Sequence, residues 1–580
     1  MKNSQLADLF EQLADLLEFQ GANAFRTRAY RNGARAIRDL PESISSIVED
    51  DPKRLQTIDG IGKSVAEKCV TLVRTGELPQ LTEVLEQVPE SVLALLRIPG
   101  LGPKKAAVLF RELQIQSLEQ LQAACEAGQV EQLKGFGAKT QESILAGIAI
   151  ASAAGERILW AEADAVVGEL REHMATCSAI EQLDFAGSYR RGRETVGDLD
   201  ILVVSQQVDQ VMDHLATFAS LKTVIVRGGT KMSIRLDSGL QVDLRVVPQE
   251  SFGAALQYFT GSKDHNVVVR GLAKQRGLKI NEWGVFRVDG DEEAYLAGHT
   301  EADVYAALEL PVFPPELRES RREFELAEAG ELPHLIQESD IVGDLHMHTT
   351  ETDGKASLEE MVAAAQQRGL QYIAITDHSQ RVSMANGLDP KRLRQQWQQI
   401  DELNTSLGDT FTVLKGIECD ILEKGGMDLP DDVLAEADWV LASIHYGQNQ
   451  PRAQITDRIL GALEHPHVSA IAHPTGRLIN RREAYDVDMD AMFQAAKQHR
   501  KLLELNANPV RLDLNDVYCA AARQHEIPLV INTDAHSEPG LDVMRYGVLQ
   551  ARRGGLGPQD VANTRSWDEI RSWLQRGSSV

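Results

Sequence analysis

Apolar residues over the first 150 positions recur at spacings of three and four, as in Leu6, Leu9, Phe10, Leu13, Leu16 and Leu17, with no alternating run among them. This period predicts an all-helical segment over residues 1–155. From 156 to 315 short apolar runs such as Ile201–Val204 alternate with helical stretches, which predicts an α/β domain. Phe313-Pro-Pro-Glu-Leu-Arg318 and the acidic stretch up to Pro333 read as a linker over 316–340. Seven short apolar runs follow in 341–580, at Ile341–Leu345, Tyr372–Ile375, Val413–Ile417, Val440–Ile444, Ala470–Ala472, Leu502–Leu505 and Leu529–Ile531. Helical segments separate them, as in repeated βα units closed into a parallel barrel.

A chain of 580 residues is too long for one hydrophobic core, consistent with several folding units. Its 43% hydrophobic and 25% charged residues exclude a largely disordered protein. No run of about 18 uncharged apolar residues exists, so no membrane span is expected. The N-terminal stretch lacks the apolar core of a secretory signal, so a cytoplasmic protein is expected. Five widely spaced cysteines without a CxxC suit a reducing compartment rather than a disulfide framework.

Net charge is −26, which argues against a broad nucleic-acid footprint. It is unevenly spread: −3 over 1–155, −11 over 156–333 and −12 over 334–580. Any nucleic-acid contact must therefore be local, through backbone amides or short basic clusters. Eleven of the 15 histidines lie after residue 333, which directs attention to metal chemistry there.

One short pattern repeats three times in the helical segment: Ile58-Asp-Gly60-Ile-Gly62-Lys63, Ile98-Pro-Gly100-Leu-Gly102-Pro-Lys104 and Leu133-Lys-Gly135-Phe-Gly137-Ala-Lys139. A Gly-x-Gly hairpin before a helix presents consecutive N–H groups at the helix N-terminus, where they can cradle a phosphate. The bland alternative is a glycine turn between packed helices. Three copies, each followed by a lysine, favour helix-hairpin-helix DNA binding without sequence readout.

In the middle domain Asp198 and Asp200 stand two apart at the start of an apolar strand, a spacing that directs both carboxylates to one face. Paired carboxylates repel unless a divalent cation lies between them. Gly187-Ser188 precedes Asp198 in a loop carrying Arg190, Arg191 and Arg193, groups suited to phosphate. Asp243 stands alone in the apolar run Leu240–Val247, with Arg245 two along. Three carboxylates on adjacent strands can hold two Mg²⁺ ions for in-line phosphoryl transfer.

Together these residues resemble the nucleotidyltransferase superfamily. Tyr258-Phe-Thr-Gly-Ser262, Asn266, Arg270, Leu278-Lys-Ile-Asn-Glu-Trp283 and Thr300 to Pro311 narrow the resemblance to the family X DNA polymerases, over residues 1–325 in order. The resemblance implies that Asp198, Asp200 and Asp243 hold Mg²⁺ or Mn²⁺, with Asp243 nearest the primer 3′-OH. It implies that Gly187, Ser188, Arg191 and Gly197 serve the dNTP triphosphate, and that Tyr258, Phe259 and Gly261 line the sugar pocket. Asn266 and Arg270 would reach the base-pair minor groove. Without the neighbouring Thr-Gly, Tyr258 and Phe259 would read as core packing. Lys68 falls where repair members of the family place a Schiff-base lysine, implying a 5′-deoxyribose phosphate lyase. Ser64 and Arg26 stand where those members carry lysines, so a DNA-contacting or solvated Lys68 is the alternative.

Six of the seven C-terminal runs end in ligand-type residues. His346 and His348 follow the first, His378 the second, Glu418 the third, His445 the fourth, His473 the fifth, and Asp534 and His536 the seventh; Asp353 lies in the first loop. Barrel sites collect side chains from strand C-termini, so these nine share a rim. Imidazole with carboxylate suits Zn²⁺ or Mn²⁺. This part resembles the PHP domain, a seven-stranded distorted barrel with a trinuclear metal centre. The resemblance implies three ions: one on His346, His348, Glu418 and Asp534, one on Glu418, His445 and His473, one on Asp353, His378 and His536.

The expectation is a monomeric, nucleoid-associated bacterial enzyme acting on gapped or primer-template DNA and dNTPs. It would have three parts: an all-α helix-hairpin-helix domain, an α/β palm with thumb, and a PHP barrel acting as a 3′→5′ exonuclease. The rivals are a DNA-end-binding scaffold with weak catalysis, a barrel that hydrolyses small phosphate esters, and template-independent addition.

Overall fold

The computed structural model describes residues 1–89, 91–96, 98, 101–138, 140–142, 144–145, 148, 157–290 and 292–575. The chain forms two compact units, one of residues 1–157, 170–185 and 197–249, the other of 158–169, 186–196 and everything from 250 onward.

The first unit opens with helices Asn3–Phe19 and Ala24–Arg38, the second capped by the Asn23 side chain accepting from the Phe25 N–H. Their apolar stripes interlock, with Leu6, Phe10, Leu13 and Leu17 against Tyr30, Ala34 and Ile37. Two of the Gly-x-Gly hairpins lead directly into helices, Lys63–Thr75 after Gly62 and Pro103–Leu113 after Gly102. The same unit holds a five-stranded sheet. In spatial order its strands are Gln182–Phe185, Asp198–Val204, Gln241–Val247, Lys231–Leu236 and Leu221–Arg227. Only the central pair, Asp198–Val204 with Gln241–Val247, is parallel.

In the second unit, helices Phe252–Thr260, Lys263–Gln275 and Glu301–Ala307 flank an antiparallel sheet of Leu278–Asn281, Gly284–Asp289 and Glu292–Ala297. Ala254, Val269, Tyr305 and Phe313 make its core. Residues 316–340 are folded too: they include helix Glu323–Ala329, and Glu323 pairs with buried His265 at 2.9 Å. The remainder is a seven-stranded all-parallel sheet, ordered as in the chain: Gly343–Asp344, Tyr372–Ile375, Thr412–Asp420, Trp439–Ser443, Ala470–Ile471, Leu502–Asn506 and Leu529–Asn532. A parallel bridge between Met347 and Ala535 brings its two ends together, so the ring is nearly closed. Its strands are buried on both faces. Tyr372, Ala374, Leu414, Leu441 and Val530 pack with Ile570 of the C-terminal helix. Their neighbours Ile373, Ile375, Val413 and Val440 pack against Met361, Trp397 and Ile459 of the surrounding helices.

Glu301 is the electrostatic keystone of the thumb-like part. Arg190 grips it with two 2.8 Å hydrogen bonds, and fully buried Arg318 pairs with it while also donating to the Phe313 carbonyl. Burial alone would raise its carboxyl, but the two guanidinium groups override this and hold it down at about 2. The unfolded chain therefore takes up the proton first as pH falls. This stabilisation is whole above about pH 5 and disappears toward pH 2. Glu301→Gln should cost about 3 kcal/mol at neutral pH, because it strands buried Arg318 and half-buried Arg190. In thermal melts it should also flatten the loss of Tm between about pH 5 and 3; a variant melting like the parent at both pH values would refute this.

Candidate metal centres and the nucleotide loop

In the five-stranded sheet the parallel register sets Asp200 directly opposite Asp243, with Asp198 two residues before Asp200 on the same strand face. Asp243 is buried; Ser233 donates to its Oδ1, Gln241 lies 3.2 Å from the same oxygen, and Lys231 Nζ lies 3.7 Å from its Oδ2. Desolvation pushes the Asp200 carboxyl up to about 7, and the charges of Asp198 and Asp243 push the same way. Three crowded carboxylates, one raised by the other two, fit a divalent cation as the relieving charge.

The loop carrying Gly187, Ser188 and Arg191 belongs to the second unit. Gly187 and Gly192 have φ of +67° and +65°, the left-handed turns that fold it around the single-turn helix Gly187–Arg190. The Ser188 hydroxyl is buried without a hydrogen-bond partner. Arg191 is committed: its Nε lies 3.0 Å from Glu319 and its Nη1 donates to the Thr260 carbonyl at 2.8 Å. Asn266 is committed as well, donating to the carbonyls of Tyr258 (2.7 Å) and Gly261 (3.1 Å), so it fixes the Tyr258–Gly261 turn. A side chain at Gly261 would fall 2.8 Å from Asn266 Oδ1, which is why glycine stands there. Arg270, one helical turn on from Asn266, is exposed. Tyr258 and Phe259 pack edge to face at 5.1 Å.

The strand ends of the barrel bring all nine expected ligand residues onto one rim. Among the described residues three groups place ligand atoms within 4.8 Å of one another: His348, Asp353, His378 and His536; His346, His348 and Asp534; His378, Glu418 and His445. His348 and His378 are thus shared between groups. His473 stands outside them, with its Nε2 3.0 Å from Glu418. His346 Nε2, both His348 ring nitrogens, His378 Nδ1 and His473 Nδ1 are buried without a well-formed hydrogen bond, although His378 Nδ1 lies 2.8 Å from Glu418 and His348 Nε2 3.2 Å from Asp534. Orphaned imidazole nitrogens facing carboxylates are the donor set a divalent metal completes. Burial and the charge of His378 hold His348 down at about 3, in the neutral form that ligation needs. Burial opposes protonation of His346, but the charges of Glu504, Asp534 and Glu418 outweigh it and raise that group well above its ordinary range. Asp534 is held in a left-handed turn, φ +55°, a strained backbone that carries its carboxylate to within 3.2 Å of His348 and 3.5 Å of His346.

Sequence reasoning missed the carboxylates behind the ligands. Glu504 accepts from His346 Nδ1 at 2.7 Å and from the His473 backbone N–H at 2.7 Å. Asp420 lies 3.2 Å from His445 Nδ1, and Asp377 accepts from the Thr349 N–H and hydroxyl. Such partners fix the ring orientation and present the other nitrogen inward. The signal was in the sequence: Glu504 is a lone acid in the apolar run Leu502-Leu-Glu-Leu-Asn506, the same mark that identified Asp243. Arg511 was missed too; its Nε lies 3.5 Å from Asp534, while its Nη1 is buried and unpartnered.

In the helical domain Lys68 Nζ lies 3.3 Å from Ser64 Oγ and 5.5 Å from the Tyr30 ring centroid. Burial of Tyr30 is outweighed by hydrogen bonding to Arg26, Ser64 and Lys68, which lowers its hydroxyl. Gly60 takes φ +84° against Ala36, whereas the Cα positions of Gly62, Gly102, Gly135 and Gly137 face open space. Gly100 and Lys139 lie outside the described residues.

Comparison with known proteins follows this division. Family models match in order: a helix-hairpin-helix domain (1–78), a SAM-like helix-hairpin-helix tandem (92–149), DNA polymerase beta palm (157–245), DNA polymerase beta thumb (255–319) and a PHP domain (344–508). The chain is 41% identical over 578 residues to the DNA polymerase/3′-5′ exonuclease PolX of Bacillus subtilis, covering 99% of this chain and all of that protein. It is 28% identical over 344 residues to DNA polymerase lambda of Rattus norvegicus, covering 55% and 56% of the two chains. It is also 25% identical over 239 residues to a probable phosphatase of Thermoanaerobacter, which covers 39% of this chain and 91% of that protein.

Glu504→Gln keeps the shape of the buried carboxylate but removes its charge from His346. The variant should bind metal about 10–100-fold more weakly. Elemental analysis after titration with a chelator checks this; parental retention of metal would show that Glu504 only packs.

Proposed function

The chain belongs to the bacterial PolX family of family X DNA polymerases, and from that premise we propose an enzyme that fills short gaps in DNA and trims 3′ ends. Both halves carry a full set of candidate side chains in one chain: the opposed Asp200 and Asp243 of the palm, and nine ligand-type residues on one rim of the barrel. That joint completeness carries the reading and weighs against a scaffold that has lost catalysis.

In the palm, Asp198, Asp200 and Asp243 would hold Mg²⁺ or Mn²⁺, which when bound neutralises the triphosphate and aligns the 3′-OH. Ser188 would serve the phosphates of the dNTP with the amides that follow the left-handed Gly187; Arg191, whose Nε and Nη1 are taken by Glu319 and Thr260, would reach them through Nη2. Gly197 would serve the same triphosphate, and Tyr258, Phe259 and Gly261 would border the sugar. Asn266 holds that border in shape through its two carbonyl contacts. Arg270, exposed one turn on from Asn266, would meet the nascent pair.

In the barrel His346, His348, Asp353, His378, Glu418, His445, His473, Asp534 and His536 would hold up to three Zn²⁺ or Mn²⁺ ions, which supply an ionised water and Lewis acidity for phosphodiester hydrolysis. Glu504 and Asp420 keep the N–H of His346 and His445 turned outward, so the remaining nitrogens point inward. Arg511 carries positive charge to the same place, where a scissile phosphate needs it. The likeness to a probable phosphatase makes a small phosphomonoester the control substrate.

The hairpins at Gly60-Ile-Gly62, Gly100-Leu-Gly102 and Gly135-Phe-Gly137 would hold the DNA backbone through N–H groups, independently of sequence. We place the enzyme as a monomer in the bacterial cytoplasm, at the nucleoid; no helix among the described residues is long and apolar enough to cross a membrane. A second activity is favoured by one observation, the grouping of Lys68, Ser64 and Tyr30. There Lys68 would attack the sugar aldehyde of a 5′-deoxyribose phosphate; borohydride trapping of the Schiff base, absent in Lys68→Ala, tests it.

One gapped substrate tests the reading as a whole. Asp200→Ala should lower extension by about 10²–10³-fold or more while 3′ digestion persists. His346→Ala with His348→Ala should abolish digestion of the DNA and spare extension, since losing two ligands empties the position. The reading is falsified if folded Asp200→Ala stops digestion, or if the double variant digests at the parental rate.

A further inference from the structure

The loop read above as the triphosphate loop is seated on the barrel. Gly192 lies flat against Leu549 of helix Met544–Arg553; a side chain there would sit 2.6 Å from Leu549 Cδ1. The Tyr189 ring stacks on Trp160 at 5.0 Å and an interplanar angle of 2°, and Tyr546 of the same barrel helix meets Trp160 edge on at 5.7 Å. Glu194, at the end of the loop, pairs with Arg477 at 2.8 Å.

The closest hold is Arg553, the last residue of that helix, with a side chain only 3% exposed. Its Nη1 donates to the Arg191 carbonyl at 2.7 Å and lies 3.1 Å from Glu319 Oε1; its Nη2 pairs with Asp516 at 2.7 Å. Glu319 Oε1 is the same oxygen that takes Arg191 Nε, and Asp516 also takes Arg321 at 3.0 Å. Arg553 therefore fixes Arg191 twice, through its backbone carbonyl and through the shared carboxylate. A buried guanidinium whose forks are all occupied within the protein cannot itself meet substrate. Its partners decide what it does, and they converge on Arg191.

We infer that Arg553 of the nuclease barrel is a positioning residue of the polymerase: it sets the conformation of the loop that receives the dNTP triphosphate. The inference rests on reading that loop as the nucleotide loop. A positioning role predicts loss of nucleotide affinity, a split between KM and kcat, and non-additivity with Arg191. A residue that only stabilises the fold would lower both activities in proportion to the folded fraction.

The test uses full-length protein on a one-nucleotide gap, with 3′ digestion measured on the same preparations. Arg553→Met should raise the dNTP KM about tenfold with kcat within about threefold and digestion within about twofold of the parent. Arg553→Lys, which keeps the charge, guards against failure to fold and should recover most of that loss. Arg191→Ala should raise KM as well, and the double variant should be no worse than the more impaired single one, since the two act on one loop. If Arg191→Ala keeps the parental KM, the loop reading fails and the inference falls with it. If Arg191→Ala is impaired while folded Arg553→Met and Arg553→Lys keep the parental KM, the coupling alone is overturned. A parallel fall of extension and digestion in both Arg553 variants would also overturn it, leaving a residue of fold stability.

Discussion

Parallel strands that end together force like side chains into one place, and the chemistry of this chain depends on that constraint. In the five-stranded sheet the one parallel pairing puts Asp200 opposite Asp243. In the barrel seven parallel strands deliver imidazoles and carboxylates to one rim. In water these groups would separate. Held by backbone hydrogen bonds, they cannot, and desolvation raises the cost of leaving their charge or lone pairs unmet. The raised Asp200 carboxyl and the orphaned nitrogens of His346, His348, His378 and His473 are expressions of that unmet demand.

Crowding of this kind is tolerable only if the surroundings are rigid, and the barrel supplies rigidity by hydrogen-bonding the outer side of the ligands. Glu504 illustrates the economy: one buried carboxylate orients the His346 ring, accepts the His473 backbone N–H and takes the Asn532 side chain. Were it an apolar residue of similar size, His346 could rotate and the His473 backbone would lose its acceptor. The carboxylates behind the rim therefore belong to the site as much as the ligands do.

Much of this was legible in the sequence because the informative residues break a local rule. A lone aspartate in an apolar strand, a His-x-His after an apolar run and a thrice-repeated Gly-x-Gly are each costly unless used. The positions of the seven barrel strands followed from apolar runs alone, and strand Tyr372–Ile375 matches the expected limits. The carboxylates behind the ligands were legible in principle, Glu504 especially, but lost among residues that read as strand. What no local pattern carried was partnership at long range. Arg553 closes a helix with two arginines, which reads as a cationic cap favoured by the helix dipole. Its contact with the Arg191 carbonyl spans 362 positions and leaves no periodic trace. The choice of nitrogen on each histidine is equally invisible, because it is made by the group on the far side of the ring.

Chemical independence and structural independence separate at this point. The palm carboxylates and the barrel rim are distinct groups of side chains with no residue in common. The loop of Arg191 belongs to neither set, yet its seat is helix Met544–Arg553 of the barrel, clamped by buried and half-buried charges in alternating sign: Arg191, Glu319, Arg553, Asp516 and Arg321. Burying such a chain of ions is costly, and apolar packing of the same volume would hold two surfaces together at least as well. What ions add over apolar contact is direction, since each carboxylate is shared by two guanidinium groups and fixes the geometry of both. If the loop receives a triphosphate as proposed, it needs that direction more than it needs adhesion.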